Sequence, residues 1–374
     1  MKFIILGSRI YNLANAYLLA KSGHQVTVLE SENDQKNIPN DQILFNDNPV
    51  AFLAKQQNNL KSKICNILCQ KTINPKINDL ILKNKEAFEN LLNTEKITLK
   101  NKKDGLIYLY DNNKKLHNHI KQIAEIPDYQ LFCNIFTESQ LESLDLDLKY
   151  RRKKIIGAIL LKNSFTFDKK SFINDLKEIC KKKYKVKFEE NLEITNIFTN
   201  HKKITGINTN KKVFVADHYI ININHNNLDL LKSINLKIQT QNCYKIKIFS
   251  NIKNINNKIK YNLIDSSKQT IYSKNGNYYQ IENFINKKIY QNINSNLGWN
   301  YFNQISKSNL LDIKDYKNIQ YYLVKEQYFL KQLPLISKST KYSNLFLNGG
   351  YCSISCNLSF GAAHSILQKE TSKN

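Results

Sequence analysis

Lys2-Phe3-Ile4-Ile5-Leu6-Gly7-Ser8-Arg9-Ile10-Tyr11-Asn12, followed by Gly23-His24-Gln25-Val26-Thr27-Val28-Leu29-Glu30, is the stretch that decides the fold. Lys2 to Leu6 is a short apolar strand and Gly7-Ser8-Arg9 a turn. Ile10 to Ser22 then carries Leu13, Ala14, Ala16, Tyr17, Leu18 and Ala20 at helical spacing, with Gly23 as the C-cap. Gln25 to Leu29 is a second strand, ending on Glu30. Two strands joined by one helix through short connections are the smallest unit of a doubly wound parallel sheet.

Beyond this unit, Asn33 to Asn48 is polar and loop-like, and mixed helical segments follow to about Thr94. Gly105 to Tyr110 reads as a strand, Asn112-Asn113 as a turn and Lys114 to Ala124 as a helix. An acidic patch, Glu138 to Asp147, precedes a strand at Ile155 to Leu160, and Asp168 and Ser171 offer N-caps for a helix ending near Cys180. Short strands at Val186–Phe188, Leu192–Phe198, Ile204–Asn208 and Val213–Phe214 form a meander that feeds the buried run Tyr219–Ile223. From Leu236 to Tyr322, alternation at Tyr244–Phe249 and Tyr278–Phe284 predicts a largely antiparallel sheet with one helix near Trp299. The chain closes with a strand at Leu345–Leu347, a turn at Asn348-Gly349-Gly350 and a helix from Asn357 to Gln368.

At 374 residues the chain has room for two or three domains, and 41% hydrophobic residues exclude wholesale disorder. The net charge of +25 suggests an anionic partner, yet of the 56 Lys and Arg only Arg9, Arg151 and Arg152 are arginine. Lysine lacks the planar fork that reads bases and phosphates bidentately, and here it accompanies abundant Asn and Ile. A solvated lysine surface follows, with no specific nucleic acid partner. The seven cysteines are scattered, and Cys65/Cys69 and Cys352/Cys356 lack the histidines of a zinc site, so they read as buried thiols in a reducing compartment with no metal. His117 and His119 read as surface residues and His364 as packing. The apolar N-terminus is too short for a signal peptide and no window reaches a membrane span, which places the chain in the cytoplasm or peripherally on the inner membrane.

The turn at Gly7 stands where a dinucleotide fold places its pyrophosphate against a helix N-terminus, and Glu30 where a carboxylate accepts ribose hydroxyls. Of the three fingerprint glycines only Gly7 is kept; Arg9 and Asn12 occupy the other two positions. The pattern is compatible with a nucleotide site and with plain α/β packing, and Glu30 equally with a solvated strand end.

Three blocks carry a more specific resemblance: the opening just quoted; Val186-Lys187-Phe188 through Asn191, Ile194, Ile204-Thr205-Gly206-Ile207 and Ala216-Asp217-His218-Tyr219-Ile220-Ile221; and Asn344-Leu345-Phe346-Leu347-Asn348-Gly349-Gly350-Tyr351 with Gly361 in the following helix. In order and spacing they resemble the FAD-dependent amino acid oxidoreductases, most of all the small subunit of bacterial D-amino acid dehydrogenase. The resemblance implies an α/β fold: an FAD-binding Rossmann-like, doubly wound domain with an antiparallel α+β substrate or cap domain. It implies a discontinuous FAD-binding domain over 1–75, 155–235 and 336–374, with the substrate/cap domain over 76–154 and 236–335. It puts Gly7, Ser8, Arg9 and Asn12 at the pyrophosphate, Glu30 on the adenosine ribose, Ile194 by the adenine, and Gly350, Tyr351, Ser353 and Ile354 near the flavin ring, with Gln42-Ile43 beside it. The implied reaction is hydride transfer from the α-carbon of a D-amino acid to FAD, with a quinone or other membrane electron acceptor and no catalytic nucleophile or metal.

The chain departs from that pattern in three places. Asn222-Ile223-Asn224 replaces a small residue and glycine, Tyr351 to Cys356 replaces a glycine-rich turn, and Lys325-Glu326-Gln327-Tyr328 stands where an arginine would pair with the substrate carboxylate. Tyr328 is the substrate-contact candidate that this segment retains, and Lys325 or Lys331 its point charge. The alternative implied by these losses is a homologue that keeps the fold without catalysis and serves as a binding or structural protein.

Overall fold

The computed structural model describes residues 1–31, 42–46, 75–124, 128–144, 154–223, 227–251, 261–266, 270–275, 278–285, 287–292, 319–329, 335–350 and 355–371. Among them, a six-stranded sheet has the order β17 (Leu335–Lys338), β18 (Leu345–Gly349), β11 (His218–Ile223), β1 (Lys2–Leu6), β2 (Gln25–Leu29), β7 (Lys187–Glu189). All its pairs are parallel except β17 with β18. A three-stranded antiparallel meander, β8 (Ile194–Asn200), β9 (Lys203–Thr209) and β10 (Val213–Phe214), lies beside it. The largest sheet has the order β16 (Ile319–Phe329), β12 (Thr240–Asn251), β15 (Tyr278–Ile285), β14 (Thr270–Asn275), β13 (Asn262–Asp265), β4 (Lys103–Tyr110), β6 (Gly157–Asp168), β3 (Gln42–Asn46), with β5 (Cys133–Thr137) also on β6. It is antiparallel except where β13 meets β4. The expected α/β architecture with a doubly wound sheet and a second, antiparallel sheet is therefore present.

The helices are α1 (Ile10–Lys21), α2 (Pro75–Glu95), α3 (Asn113–Ala124), α4 (Lys169–Lys182), α5 (Leu228–Ser233), α6 (Lys287–Asn292) and α7 (Ser355–Thr371). Strands of a parallel sheet are covered on both faces, and their sequences run apolar without alternation. Here Phe3, Ile5, Val26, Val28, Ile220 and Phe346 pack under α1, α4 and α7, while Ile4, Leu6, Tyr219, Ile221 and Leu347 pack against the meander and α5. Helix α7 crosses α2 at Gly361, where a Cβ would strike the Leu80 carbonyl and stand 3.0 Å from the Asn84 amide nitrogen. The Asn84 side chain fills the crossing and accepts from the Phe360 and Gly361 amides at 2.9 and 3.3 Å. Asp168 caps α4 by accepting from the Ser171 amide at 2.7 Å, as its position in the sequence requires.

The structure corrects three expectations. The stretch read as loop contains β3, whose Ile43 and Phe45 are buried at a spacing of two, with Phe45 stacked on Phe88 and Phe165. The strand expected at Ile155–Leu160 begins at Gly157 and continues to Asp168, past Asn163 with its φ of 61° and the buried Ser164 and Thr166. His119 is fully buried: α3 lays it on β4, where its Nδ1 is hydrogen-bonded to the Tyr110 hydroxyl and its ring meets Tyr108 edge-on. His117 is exposed, as expected. Strands β3 and β6 both belong to the largest sheet, although they fall within the stretches 1–75 and 155–235. Cys133, Cys180 and Cys356 are buried free thiols, and burial pushes Cys133 up to about 11 and Cys180 to about 12. Cys65, Cys69 and Cys352, most of the helical segments expected before Thr94, and the helix near Trp299 lie outside the described residues. Among the described residues no helix is long and apolar enough to cross a membrane, and no cluster of His, Cys, Asp or Glu could hold a metal.

At the amino ends of the parallel strands, His218 pairs with Glu370 of α7 (Nε2 to Oε1, 2.9 Å) and stacks on Phe3. Burial lowers the His218 pKa below its ordinary 6.5, and the Glu370 charge offsets only part of this; His24 is lowered in the same direction, also by burial first. As pH falls, the unfolded chain takes the proton before the folded one does. The stabilisation from neutral His218 is therefore complete above its unfolded pKa of 6.5 and is lost below it. Urea midpoints measured from about pH 7 to about pH 5 are expected to fall, and His218→Gln to make that fall shallower; an unchanged slope would contradict the assignment.

Candidate functional site

In step with one another, β1, β2, β11 and β18 bring Leu6, Leu29, Ile223 and Gly349 to one edge of the sheet. The chain leaves β1 through α1 toward β2 on one side, while β11 flanks β1 on the other. A crevice opens at such a switch point, outside the carboxyl ends of the strands.

Gly7 makes the turn into α1 with φ +87°, in the left-handed region that glycine favours, and its amide donates to the Leu29 carbonyl at 2.7 Å. Arg9 stands at the N-cap in an extended conformation without a side-chain capping bond, and the first turn holds no acidic residue. The N-terminal amides and the helix dipole at this end suit an anion, and the exposed Arg9 adds a full positive charge. Ser8 is buried beside it. Asn12, in the third fingerprint position, is fully buried and turns its Nδ2 back to the Leu6 carbonyl at 2.6 Å, leaving its Oδ1 without a hydrogen-bond partner. From the neighbouring β11, Asn222 Nδ2 donates to the Tyr11 hydroxyl at 2.5 Å, and Asn227 Nδ2 to the Asn222 carbonyl at 2.9 Å. The Asn222 substitution thus ties β11 to the first turn of α1.

Glu30 is not a solvated strand end. It is wholly buried, and its Oε2 receives Lys177 Nζ of α4 at 2.8 Å. Lys177 also reaches Glu190 at 2.8 Å and lies 5.0 Å from the centre of the Phe188 ring. Burial alone would lower the Lys177 pKa; the hydrogen bonds and charges of Glu190 and Glu30 hold it above its ordinary value. The Leu192 amide donates to the Glu30 carbonyl at 3.0 Å, which leads the chain into β8, where Ile194 is half-buried on the meander side. Gly350, with φ +78°, ends β18 at the same edge. Gly7, Ser8, Arg9, Asn12 and Glu30 are thus brought together, with Ile194 and Gly350 on the flanks; Tyr351, Ser353 and Ile354 lie outside the described residues. Gln42 and Ile43 lie on β3 in the large sheet, and Tyr328 lies on β16 opposite Gln241.

The large sheet also holds charge that composition concealed. On β12, Tyr244, Ile246 and Ile248 join one apolar cluster, so the alternate residues Lys245 and Lys247 turn to the other face. Lys245 is 1% and Lys247 8% exposed, and both approach Glu282 of β15, at 3.2 and 3.4 Å. By register this face continues through Glu282, Ile271 and Ile264 to Tyr108, residues that meet the core under α1. Lys325, by contrast, is exposed and registers with Tyr244 on the opposite face, and Lys331 lies outside the described residues. Strand alternation was the signal for Lys245 and Lys247, masked by the general abundance of lysine.

No family model matches the chain. In sequence it is similar to the D-amino acid dehydrogenase of Vibrio atlanticus (strain LGP32), 24% identical over 281 residues, a match spanning 67% of this chain and 66% of that protein. In fold it is similar to glycine oxidase from Geobacillus kaustophilus, with a TM-score of 0.73 at 14% identity, covering 100% of this chain and 95% of the other. A second structure, an L-alpha-glycerophosphate oxidase from Mycoplasma pneumoniae with FAD bound, has a TM-score of 0.71 at 14% identity and covers 98% and 94%. The fold is similar to that of these oxidases, and the sequence is distantly similar to that of D-amino acid dehydrogenase.

Gly7→Ala is expected to place a β-carbon in the left-handed region and cost about 1–2 kcal/mol of stability, read as a lower urea midpoint; an unchanged midpoint would mean that the turn does not depend on glycine.

Proposed function

We propose that the chain binds FAD in the crevice at the switch point and oxidises a small amino acid at its α-carbon, with a D-amino acid as the preferred substrate. The observation that carries this is the glycine turn into α1: an N-terminus without side-chain cap or acid, led by Arg9, one strand away from the carboxylate of Glu30. The exposed Arg9 and the uncapped first turn of α1 fit a pyrophosphate. The amides of the first turn and Arg9 would hold the pyrophosphate and Ile194 would flank the adenine, while Glu30, wholly buried and paired with Lys177, presents no surface to a ribose. When bound, FAD supplies the hydride acceptor, so the protein needs no nucleophile of its own.

This chain's residues then have to bind and orient the substrate and exclude water. Lys245 and Lys247, which both meet Glu282 on the inner face of the large sheet, would supply the cations for a substrate carboxylate. They would share the substrate-binding role expected of Tyr328, which registers with Gln241 on the same face. Residues 1–75, 155–235 and 336–374 would supply the FAD-binding part, and 76–154 and 236–335 the substrate part, with β3 and β6 bridging into the large sheet. A membrane quinone fits as electron acceptor, reached from a peripheral position.

A second reading, a homologue that keeps the fold without catalysis, is favoured by Asn12 and by the Tyr11–Asn222 hydrogen bond, which set side chains where glycines would leave room. One experiment separates the two. The purified chain, supplied with FAD, is expected to show flavin absorption that D-alanine or another small amino acid bleaches without air, and Lys245→Met to raise KM on the order of tenfold with kcat less affected. A colourless chain that takes up no FAD would refute the enzyme reading, and bound flavin that no amino acid reduces would favour the second.

A further inference from the structure

Glu30 is committed to the protein through its backbone and its side chain alike. Its amide donates to the Glu189 carbonyl at 2.9 Å and its carbonyl accepts from the Leu192 amide at 3.0 Å, which sews it to β7 and to the start of the meander. Its carboxylate has no exposed surface and receives Lys177 Nζ of α4 at 2.8 Å. Lys177 is held in turn by Glu190 and by the face of Phe188. Side chains alternate between the faces of a strand, and Val26 and Val28 of β2 lie with the core under α1 and α4. Glu30 continues that row toward α4, whereas Ile194 packs with the meander cluster on the opposite face of the sheet.

We infer that this crevice reads its ligand at the phosphates and leaves the ribose beyond them unread, so that flavin mononucleotide (FMN) is taken up nearly as well as FAD. The inference rests on the FAD reading above for the place of the ligand and narrows what is recognised there. A ribose diol can donate only to an acceptor that it can touch. To reach the Glu30 carboxylate it would have to open a buried ion pair, which strips a counter-charge from Lys177 as well. The first turn of α1 keeps what a phosphate needs: no acidic residue, an N-cap without a side-chain bond, and the exposed Arg9. The phosphate of FMN offers that turn the same chemistry as the pyrophosphate of FAD. Ile194 adds apolar contact to an adenine and no hydrogen bond. Glu30 and Lys177 are then a strap that joins β2 to α4, and they serve folding.

The test uses the full chain freed of bound nucleotide. FAD and FMN are titrated by flavin fluorescence, with ADP and 2′,3′-dideoxy-ADP as competitors. The dissociation constants of FMN and FAD are expected to agree within about tenfold, the least that charged hydrogen bonds from a ribose would add. The two adenylates are expected to displace flavin to the same extent, whether that extent is large or small. The double variant Glu30→Gln/Lys177→Met removes both charges together and leaves no uncompensated ion in the core. It is expected to keep both ratios unchanged while the urea midpoint shifts, and each single variant to lower that midpoint further than the double does. FAD bound more than about tenfold tighter than FMN, or ADP displacing flavin about tenfold better than its dideoxy analogue, overturns the inference and leaves the FAD reading in place. A chain that binds neither FAD nor FMN overturns both.

Discussion

The amide of Gly7 donating to the Leu29 carbonyl, at a backbone φ of +87°, is the constraint on which the remaining structure hangs. It closes β1 onto β2 at their carboxyl ends and turns the chain straight into α1 without an intervening loop. Because β1 also pairs in parallel with β11, and β11 with β18, four strand ends come into line at that turn. The helix then begins at the one place in the sheet where the connections diverge. A residue with a β-carbon at Gly7 would strain this turn, and every candidate cofactor contact is defined relative to it.

Around the turn, Asn12 and Asn222 stand where the related pattern has small residues, and the side-chain nitrogen of each has a local partner. Asn12 bonds back to Leu6, Asn222 to Tyr11, and Asn227 to Asn222. The Oδ1 atoms of Asn12 and Asn222 both stay without a hydrogen-bond partner, so these contacts offset only part of the cost of burying asparagine beside the crevice. They also narrow it. Buried charges follow the same rule of compensation: Glu30 with Lys177 beside the crevice, Glu282 with Lys245 and Lys247 on the large sheet, and Glu95 with Lys183, Tyr17 and Tyr184 at the far end of α1.

What was legible in the sequence was local. The βαβ opening, the Asp168 cap, the meander and the closing strand and helix all follow from apolar spacing and punctuation within a few residues. Strand β3 escaped because Ile43 and Phe45 lie in a stretch rich in Asn and Asp, and the core that buries them, including β6 and Phe88, is remote in sequence. His119 looked like surface because its partner, Tyr110, sits on a strand nine residues earlier, with no carboxylate or cysteine nearby to flag it. Lys177 and Lys245 were lost among dozens of lysines, and only long-range pairing sets them apart. The net charge of +25 thus conceals a few cations held in long-range ion pairs.

The most direct measurement is a crystal structure of the chain grown with FAD. The account predicts density for the pyrophosphate against the first turn of α1 between Gly7 and Tyr11, with Glu30 and Lys177 still paired. Crystals without flavin, or with flavin bound away from the carboxyl ends of β1 and β2, would contradict it.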